Sequence, residues 1–352
     1  MSDGSWTPGS PTGPAAGPPT SSPPGQPPPR RSRVLTVLGT ILLILSIGAN
    51  AVLLLLVIGL AGMLGTQFSG GAVDDAFRER TVEHGPAGTK IAVVRVEGLI
   101  EETMVERIRR GLDRARRDED VVAVILRINS PGGYLTASDA LYHHVRVFGE
   151  ETGKPVVAAM DAVAASGGYY AACAAETLVA QRTTVTGSIG IIAQYFFLSG
   201  LMEDKLGIQS VTLKRGRQKD WPNLFAATMT PEQRHYIMEA LLDPGYEQFV
   251  DVVAEARGME RQDVLALATG RIFMGPEARE RGLVDEIGYF GRAVDIASEK
   301  AGVAEARVVE YVRPLSLLNL MGLTAKAESL LDLRPETLAG LSSPRVMYLW
   351  TG

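Results

Sequence analysis

The first strong pattern in the chain is a long apolar run close to its start. No ionisable side chain occurs between Arg33 and Asp74, and nearly every residue from Val34 to Leu64 is apolar or small. This run exceeds the roughly 20 apolar residues that cross a bilayer as a helix. The pattern therefore predicts a transmembrane helix over residues 34–64.

A cleaved secretory signal is the alternative interpretation of this run. A small-x-small pattern occurs at Ala49-Asn50-Ala51, but the apolar residues 52–57 follow it, so cleavage there would leave an apolar terminus. A signal also has an apolar region of roughly 7 to 15 residues behind a short basic leader. Here the leader reaches Arg33 and the apolar run reaches Leu64, so both are longer than in a signal. An uncleaved anchor is therefore favoured.

Charges on either side of the run predict its orientation. Arg30, Arg31 and Arg33 precede it, whereas Asp74 and Asp75 follow it. Because Lys and Arg accumulate on the cytoplasmic side of a span, the segment before the run is expected in the cytoplasm. The rest of the chain is then expected outside the cytoplasmic membrane, on its periplasmic or extracytoplasmic side.

The segments that flank the run have compositions of their own. Residues 1–33 are dominated by Pro, Gly, Ser and Thr and offer little apolar surface to bury, which predicts a disordered tail. Residues 65–89 are rich in small and charged residues and are predicted to be a linker.

Apolar runs and amphipathic stretches alternate after this linker. The run Val121–Ile128 is almost continuously apolar, as in a strand that is buried on both faces. The stretch Glu101–Asp118 carries Val105, Ile108 and Leu112 on one face, as in an amphipathic helix. Strands that alternate with helices at this spacing imply parallel pairing and an α/β fold. The other predicted strands are Ile91–Val96, Pro155–Met160 and Val211–Leu213, and the other predicted helices are Ala137–Phe148, Gly168–Glu176 and Pro231–Ala256.

We place the folded domain over residues 90–301 and a C-terminal extension over residues 302–352. The extension contains two apolar runs, residues 315–321 and 347–352, which are too short for a second span. Ordinary packing is the expectation for both runs.

Charge and metal-binding residues narrow the functional classes. A formal net charge of -5 gives no reason to expect nucleic acid, whose phosphates require clustered Lys and Arg. The single cysteine, Cys173, and the four histidines form no spacing typical of a metal site. We therefore expect no metal, no cofactor and no nucleic-acid partner.

The candidate chemistry lies in loops of small residues. Ser166 stands in the sequence Ala-Ala-Ser-Gly-Gly-Tyr-Tyr, directly after a predicted strand and before a segment compatible with a helix. That position suits a nucleophile. Lys219 stands in Gly-Arg-Gln-Lys-Asp, and no histidine lies close to Ser166 in sequence. The pairing suggests a serine whose proton passes to an amine.

A lysine can act as a base only when it is neutral. With an ordinary pKa of about 10.4, roughly one lysine in a thousand is neutral near pH 7.5, so the site must be dry enough to lower that value. Asp220 beside Lys219 could oppose this lowering of the lysine pKa, whereas the apolar residues 221–225 could favour it. Lys214 is a competing lysine, and its arginine neighbours cannot act as bases. The alternative is a Ser-His-Asp triad, for which the available histidines are His84, His143, His144 and His235.

A second small-residue loop could stabilise negative charge that develops on a substrate carbonyl. Asn129-Ser130-Pro131-Gly132-Gly133 follows a predicted strand, and glycines allow the backbone to approach a ligand closely. We expect an oxyanion hole formed by the NH of Gly167 and an NH of Gly132 or Gly133. An ordinary turn is the alternative interpretation of the Pro-Gly-Gly sequence.

In combination, four motifs resemble those of the bacterial signal peptide peptidase A family of membrane-anchored serine-lysine proteases. The resemblance covers residues 91–301 and implies Ser166 as nucleophile, Lys219 as general base and Ser188 as a hydroxyl that holds the lysine amine. It also implies a Clp/crotonase-like βαβ spiral domain and a homo-oligomeric ring in which the lysine reaches the serine of a neighbouring copy. The implied substrates are remnant signal peptides and similar membrane-associated peptides. The motifs are Arg127–Gly133, Ala165–Tyr170, Thr186–Gly190 and Gly216–Asp220.

Two rival functions remain open at this point. A membrane scaffold could keep the fold without catalysis, and it would not react with a serine-directed phosphonate. A crotonase-like acyl-CoA hydratase or isomerase would share the fold, but it would place carboxylates at the reacting carbon. A serine endopeptidase that forms an acyl-enzyme on Ser166 is the function that the sequence favours.

Overall fold

The computed structural model describes residues 33–68, 78–312 and 345–351 of the chain. These residues belong to two compact units, Met1–Ala72 and Val73–Gly352. In the first unit, helix α1 spans Arg33–Phe68, and its stretch Val37–Val57 is long and apolar enough to cross a membrane. The predicted helix over residues 34–64 is therefore confirmed as a helix. The predicted disordered tail lies outside the described residues.

The second unit is an α/β domain, as predicted. Its strands are β1 Arg78–Glu83, β2 Lys90–Glu97, β3 Val121–Ser130, β4 Gly132–Tyr134, β5 Val156–Ala165, β6 Thr177–Ala180, β7 Val185–Gly187, β8 Ile192–Gln194, β9 Ile272–Met274, β10 Glu286–Ile287, β11 Arg307–Val312 and β12 Arg345–Leu349. Its α-helices are α2 Glu102–Arg117, α3 Leu135–Thr152, α4 Gly167–Ala172, α5 Pro231–Ile237, α6 Asp243–Arg257, α7 Arg261–Leu267, α8 Gly275–Glu280 and α9 Phe290–Ala301.

The main sheet has the order β1-β11-β2-β3-β5-β6-β10, and every neighbouring pair from β11 to β10 is parallel. The strand β3 lies at its centre and is buried on both faces. Leu126 and Ile128 pack in the core under α2 and α3, whereas Ala123 and Ile125 pack against α9. This two-sided burial is the physical reason for the continuous apolar run at residues 121–128.

Parallel pairing brings the carboxyl ends of β3 and β5 to one edge of the sheet. The loop after β3 carries Gly132 and Gly133, and the turn after β5 carries Ser166. At the same edge, β7 extends the pairing of β5, with Ala165 opposite Gly187. The fold thus collects at one place three loops that are distant in sequence.

Two predicted elements differ from the observed ones. Residues Val211–Leu213 form no strand, because no neighbouring strand pairs with them, and Leu213 is 93% exposed. The helix expected over Gly168–Glu176 ends at Ala172, since strand β6 begins at Thr177. The predicted helix Pro231–Ala256 is present, although a π-helical turn over Met238–Leu242 joins α5 to α6.

The folded unit uses residues on both sides of the predicted 90–301 range, in the main sheet and in a second sheet with the order β4-β12-β8. Strand β1 lies in the segment expected to be a linker, and it pairs antiparallel with β11. Strands β11 and β12 lie in the expected C-terminal extension. Of the two apolar runs there, residues 347–349 pack as part of β12, and residues 315–321 lie outside the described residues.

A buried carboxylate ties the three edge strands together. Glu310 on β11 is 4% exposed, and it accepts hydrogen bonds from Arg80 on β1 and Arg95 on β2. Burial opposes ionisation of Glu310, but these two guanidinium groups outweigh it and hold the pKa of the carboxyl below its ordinary value.

Replacing Glu310 by Gln should lower the free energy of unfolding by about 1–3 kcal/mol at pH 7, because charge-assisted hydrogen bonds are lost. Since the folded pKa is depressed, the contribution is complete above the ordinary value near 4.5 and is lost as pH falls through the folded value. Denaturant unfolding at a series of pH values should therefore show the difference shrinking in acid. Glu97→Gln, whose carboxylate is 61% exposed, is the control, and an equal loss in both variants would contradict the prediction.

Candidate active site

Ser166 lies on a sharp turn between β5 and α4. Its φ is 53° and its ψ is -120°, a backbone conformation that residues other than glycine rarely adopt. The Ser166 NH donates to the carbonyl of Gly187 at 2.8 Å, and its carbonyl accepts from the NH of Tyr170 at 2.8 Å. These two bonds hold the strained turn, as is common at functional sites.

A second serine with a positive φ follows the neighbouring strand. Ser188 follows β7 with a φ of 49°, and its NH donates to the carbonyl of Arg271 at 2.8 Å. Because Ala165 pairs with Gly187, Ser166 and Ser188 leave adjacent strands at the same level. The two hydroxyl-bearing residues predicted to cooperate are therefore neighbours.

Both serines line one cavity of about 470 Å³. Ser166 is 1% exposed and Ser188 is 7% exposed, so the cavity reaches residues that are otherwise buried. No hydrogen bond from a described residue to the Ser166 hydroxyl is present. The rest of the wall is largely apolar or small and includes Ile191, Ile192, Tyr246, Ala268, Leu349 and Trp350.

The predicted glycine loops meet beside Ser166. A Cβ added at Gly132 would lie 2.7 Å from the Gly167 nitrogen, and one added at Gly167 would lie 3.1 Å from the Gly133 nitrogen. Gly132 also has a φ of +106°, which side chains rarely permit. The close approach of the two backbones leaves no room for a side chain.

The hydrogen bonds around Gly132 and Gly133 distinguish their NH groups. The NH of Gly132 donates to the hydroxyl of Ser130 at 3.1 Å. On one edge of β4, Ile100 bonds the carbonyl of Gly132 and the NH of Tyr134. The NH of Gly133 therefore lies on the opposite edge, where the antiparallel strand β12 pairs with β4.

Lys219 is not part of this cavity in the single chain. Its side chain is exposed, and it is absent from the cavity wall that contains Ser166. Its neighbour Asp220 forms an ion pair with Lys214, whose hydrogen bond lowers the pKa of that carboxyl. The structure thus brings the serines and the glycines together, but it does not bring Lys219 to them.

The other candidate bases and nucleophiles are also outside the site. Among the described residues, no histidine lines the cavity at Ser166. His235 is largely exposed and lies 3.0 Å from the carboxylate of Glu239. Burial raises the pKa of the Cys173 thiol to about 12, so this group stays protonated near neutral pH. The described residues contain no group of three His, Cys, Asp or Glu side chains that could hold a metal.

Sequence reasoning missed an aromatic cluster beside the site. The ring of Tyr348 on β12 stacks on Tyr170 at 5.1 Å and lies 4.7 Å from Phe249. Tyr170 follows Ser166 closely, but Phe249 and Tyr348 come from distant segments. The only sequence signal for this aromatic cluster is the pair Tyr169-Tyr170 in the serine motif.

Comparisons with known proteins place the chain among serine peptidases. The model of peptidase family S49 matches residues 149–304. An Enterococcus faecium protein assigned as a signal peptide peptidase SppA is 34% identical over 66% of this chain and 70% of its own length. The chloroplastic serine protease SPPA of Arabidopsis thaliana is 36% identical over 62% of this chain and 32% of its own. Protease 4 of Haemophilus influenzae is 36% identical over 62% of this chain and 36% of its own length.

The class defined by these matches is that of the S49 serine peptidases. The chain belongs to the signal peptide peptidase A family within that class.

Replacing Gly133 by Ala should lower the free energy of unfolding by about 1–3 kcal/mol, because overpacking forces the backbone to shift. The added Cβ would lie 2.0 Å from the Ile100 carbonyl oxygen. Gly149→Ala on α3 is the matched control, since its Cβ would meet only Val156 at 3.9 Å. Denaturant unfolding of both variants measures this loss of stability, and equal midpoints would show that the loop accommodates a side chain at residue 133.

Proposed function

We propose that this chain is a membrane-anchored serine endopeptidase that cleaves peptide bonds through an acyl-enzyme on Ser166. The observation that carries the proposal is the strained, buried Ser166 turn, which faces a cavity and lies against the backbone of Gly132 and Gly133. In this proposal residues 90–301, with the strands that extend their sheet, form a Clp/crotonase-like peptidase domain.

The proposed reaction uses Lys219 as the general base. The neutral amine takes the proton of the Ser166 hydroxyl as the oxygen attacks the substrate carbonyl. The NH groups of Gly167 and Gly133 stabilise the oxyanion, and the Ser188 hydroxyl holds the amine in position. We favour Gly133 over Gly132 because the Gly132 NH bonds within its own loop, to Ser130, whereas the Gly133 NH lies on the edge of β4 that faces β12. The ammonium then gives its proton to the leaving amine, and water hydrolyses the ester.

The exposed position of Lys219 supports a site that is shared between copies. A lysine in contact with water keeps its proton, so a base at this position needs a dry surrounding that the single chain does not provide. An adjacent copy could bury the segment and direct the amine into the cavity. We therefore propose a homo-oligomeric ring in which each Lys219 serves the Ser166 of a neighbour, as the family resemblance implies.

The apolar helix and the character of the cavity suggest the substrate class. The helix Val37–Val57 would anchor the chain in the cytoplasmic membrane, with residues 1–33 in the cytoplasm and the peptidase domain outside. The cavity wall is mostly aliphatic or small. Remnant signal peptides and similar membrane-associated peptides are apolar, and they are the substrates we propose.

A family member that has lost catalysis would keep every backbone feature described above. A serine-directed phosphonate separates this rival from the proposal, because only an activated Ser166 reacts with it. Mass spectrometry of the labelled chain should find the adduct on Ser166. The family model and the relatives named above are peptidases, which favours a peptidase over the hydratase alternative.

Replacing Lys219 by Ala should reduce peptide cleavage by about 10²- to 10⁴-fold, the usual contribution of a general base. Sizing of the detergent-solubilised protein should show an unchanged oligomer. Lys205→Ala is the matched control, since Lys205 is also exposed and lies earlier in the same irregular region. Full activity of the Lys219 variant would exclude Lys219 as the general base.

Mixing two inactive variants tests whether the site is shared. Co-assembly of Ser166→Ala chains with Lys219→Ala chains should restore about a quarter of wild-type activity, since some neighbours then supply an intact serine and an intact lysine. A dyad formed within one chain predicts no recovery, because no chain in the mixture carries both groups.

A further inference from the structure

Ser138 places a buried hydroxyl beside the two glycine loops. The residue lies near the start of α3 and is fully buried. Its oxygen makes no hydrogen bond to any of the residues that the structure describes. A buried hydroxyl without a partner lowers stability, and the large majority of buried polar side-chain atoms in native proteins are paired. The presence of this hydroxyl therefore calls for a reason other than folding.

The helix offers Ser138 a partner that the side chain does not use. A serine or threonine inside a helix commonly donates to the carbonyl four residues earlier. Thr152 at the end of the same helix does so, and its hydroxyl donates to the Phe148 carbonyl at 2.6 Å. The equivalent acceptor for Ser138 is the carbonyl of Tyr134, and no such bond forms. The Ser138 oxygen lies against Gly167 instead.

The Ser138 oxygen borders the place where the two proposed oxyanion donors meet. A Cβ added at Gly167 would lie 2.4 Å from this oxygen and 3.1 Å from the Gly133 nitrogen. The hydroxyl and the Gly133 NH group therefore flank the same small volume. The carbonyl oxygen of Tyr348 lies 3.0 Å from the same point, which shows that an oxygen atom fits beside these groups.

Rigid elements hold the hydroxyl at this place. Helix α3 begins at Leu135, directly after the strand β4 that contains Gly133. The residue after Ser138 is Asp139, whose carboxylate accepts a hydrogen bond from the Tyr170 hydroxyl on α4 at 2.8 Å. Because α4 begins at Gly167, this bond fixes α3 relative to the turn that carries the nucleophile. A donor that is fixed before the reaction needs no reorganisation when charge develops.

We propose that Ser138 is a catalytic residue, a third hydrogen-bond donor to the oxyanion beside the NH groups of Gly167 and Gly133. The inference rests on the proposed function, since it assigns a role in that same reaction. When the Ser166 oxygen adds to the substrate carbonyl, the negative oxygen that forms accepts a hydrogen bond from the Ser138 hydroxyl. The hydroxyl keeps its proton throughout. An interaction that forms only in the transition state raises turnover without tightening substrate binding.

The unpaired hydroxyl leads to a specific expectation for stability. Ser138→Ala removes a buried polar group that has no partner, so its midpoint of denaturant unfolding should equal or exceed that of the wild type. Thr184→Val is the control, because the Thr184 hydroxyl is equally buried but donates to the Asp161 carbonyl at 2.6 Å. The midpoint of the control should fall. A midpoint of Ser138→Ala below that of the wild type would assign the hydroxyl a structural role and contradict the proposal.

Kinetics test the catalytic role directly. Full-length Ser138→Ala protein in detergent should cleave a fluorogenic apolar peptide with kcat lowered about 10²-fold, the usual value of one oxyanion donor, and with KM unchanged within about twofold. Thr184→Val should leave both constants unchanged. A fall in kcat of the same size in both variants would show a general effect of altering a buried hydroxyl and would reject the assignment.

A peptide aldehyde of the same sequence measures binding of the charged oxygen. The Ser166 oxygen adds to the aldehyde carbon, its proton passes to the Lys219 amine, and the former carbonyl oxygen becomes the oxyanion. The inhibition constant of the aldehyde should therefore rise in Ser138→Ala by the same factor by which kcat/KM falls. Equal inhibition constants for Ser138→Ala and the wild type would overturn the inference.

Phosphonate labelling separates failure of this inference from failure of the proposed function. A wild type that is labelled on Ser166 and cleaves peptide, together with an equally active Ser138→Ala variant, would support the peptidase and reject the third donor. A wild type that is neither labelled nor active would reject the proposed function, and the role of Ser138 with it.

Discussion

The site depends on one steric constraint, which is the contact of two backbones where no side chain can fit. Gly132 and Gly133 after β3 approach Gly167 after β5 so closely that an added Cβ would collide with a backbone atom of the opposite loop or of Ile100. The parallel pairing of β3 and β5 sets this separation, since both loops leave the same edge of the sheet. The strained turn at Ser166 is held by the neighbouring pairing of β5 with β7, through its bond to Gly187. Rigid strands thus fix groups that loops alone would leave free.

Much of this arrangement was predictable from sequence because it rests on strong local patterns. The apolar run at residues 121–128 has one explanation, a strand buried on both faces, and the small residues around Ser166 and Gly132 mark turns that follow strands. Val211–Leu213 shows the limit of such patterns. A run of three residues carries no information about a pairing partner, and in the single chain no described strand pairs with it.

Long-range contacts explain what the sequence did not reveal. Nothing in residues 345–351 reveals that they form the central strand of a small sheet, because that position depends on the distant partners β4 and β8. The same holds for Lys219. The sequence left open whether Asp220 or the apolar residues 221–225 would dominate its surroundings; in the single chain Lys219 is exposed and Asp220 pairs with Lys214. Whether an amine becomes a base depends on what covers it, and the described residues of the single chain leave this one exposed.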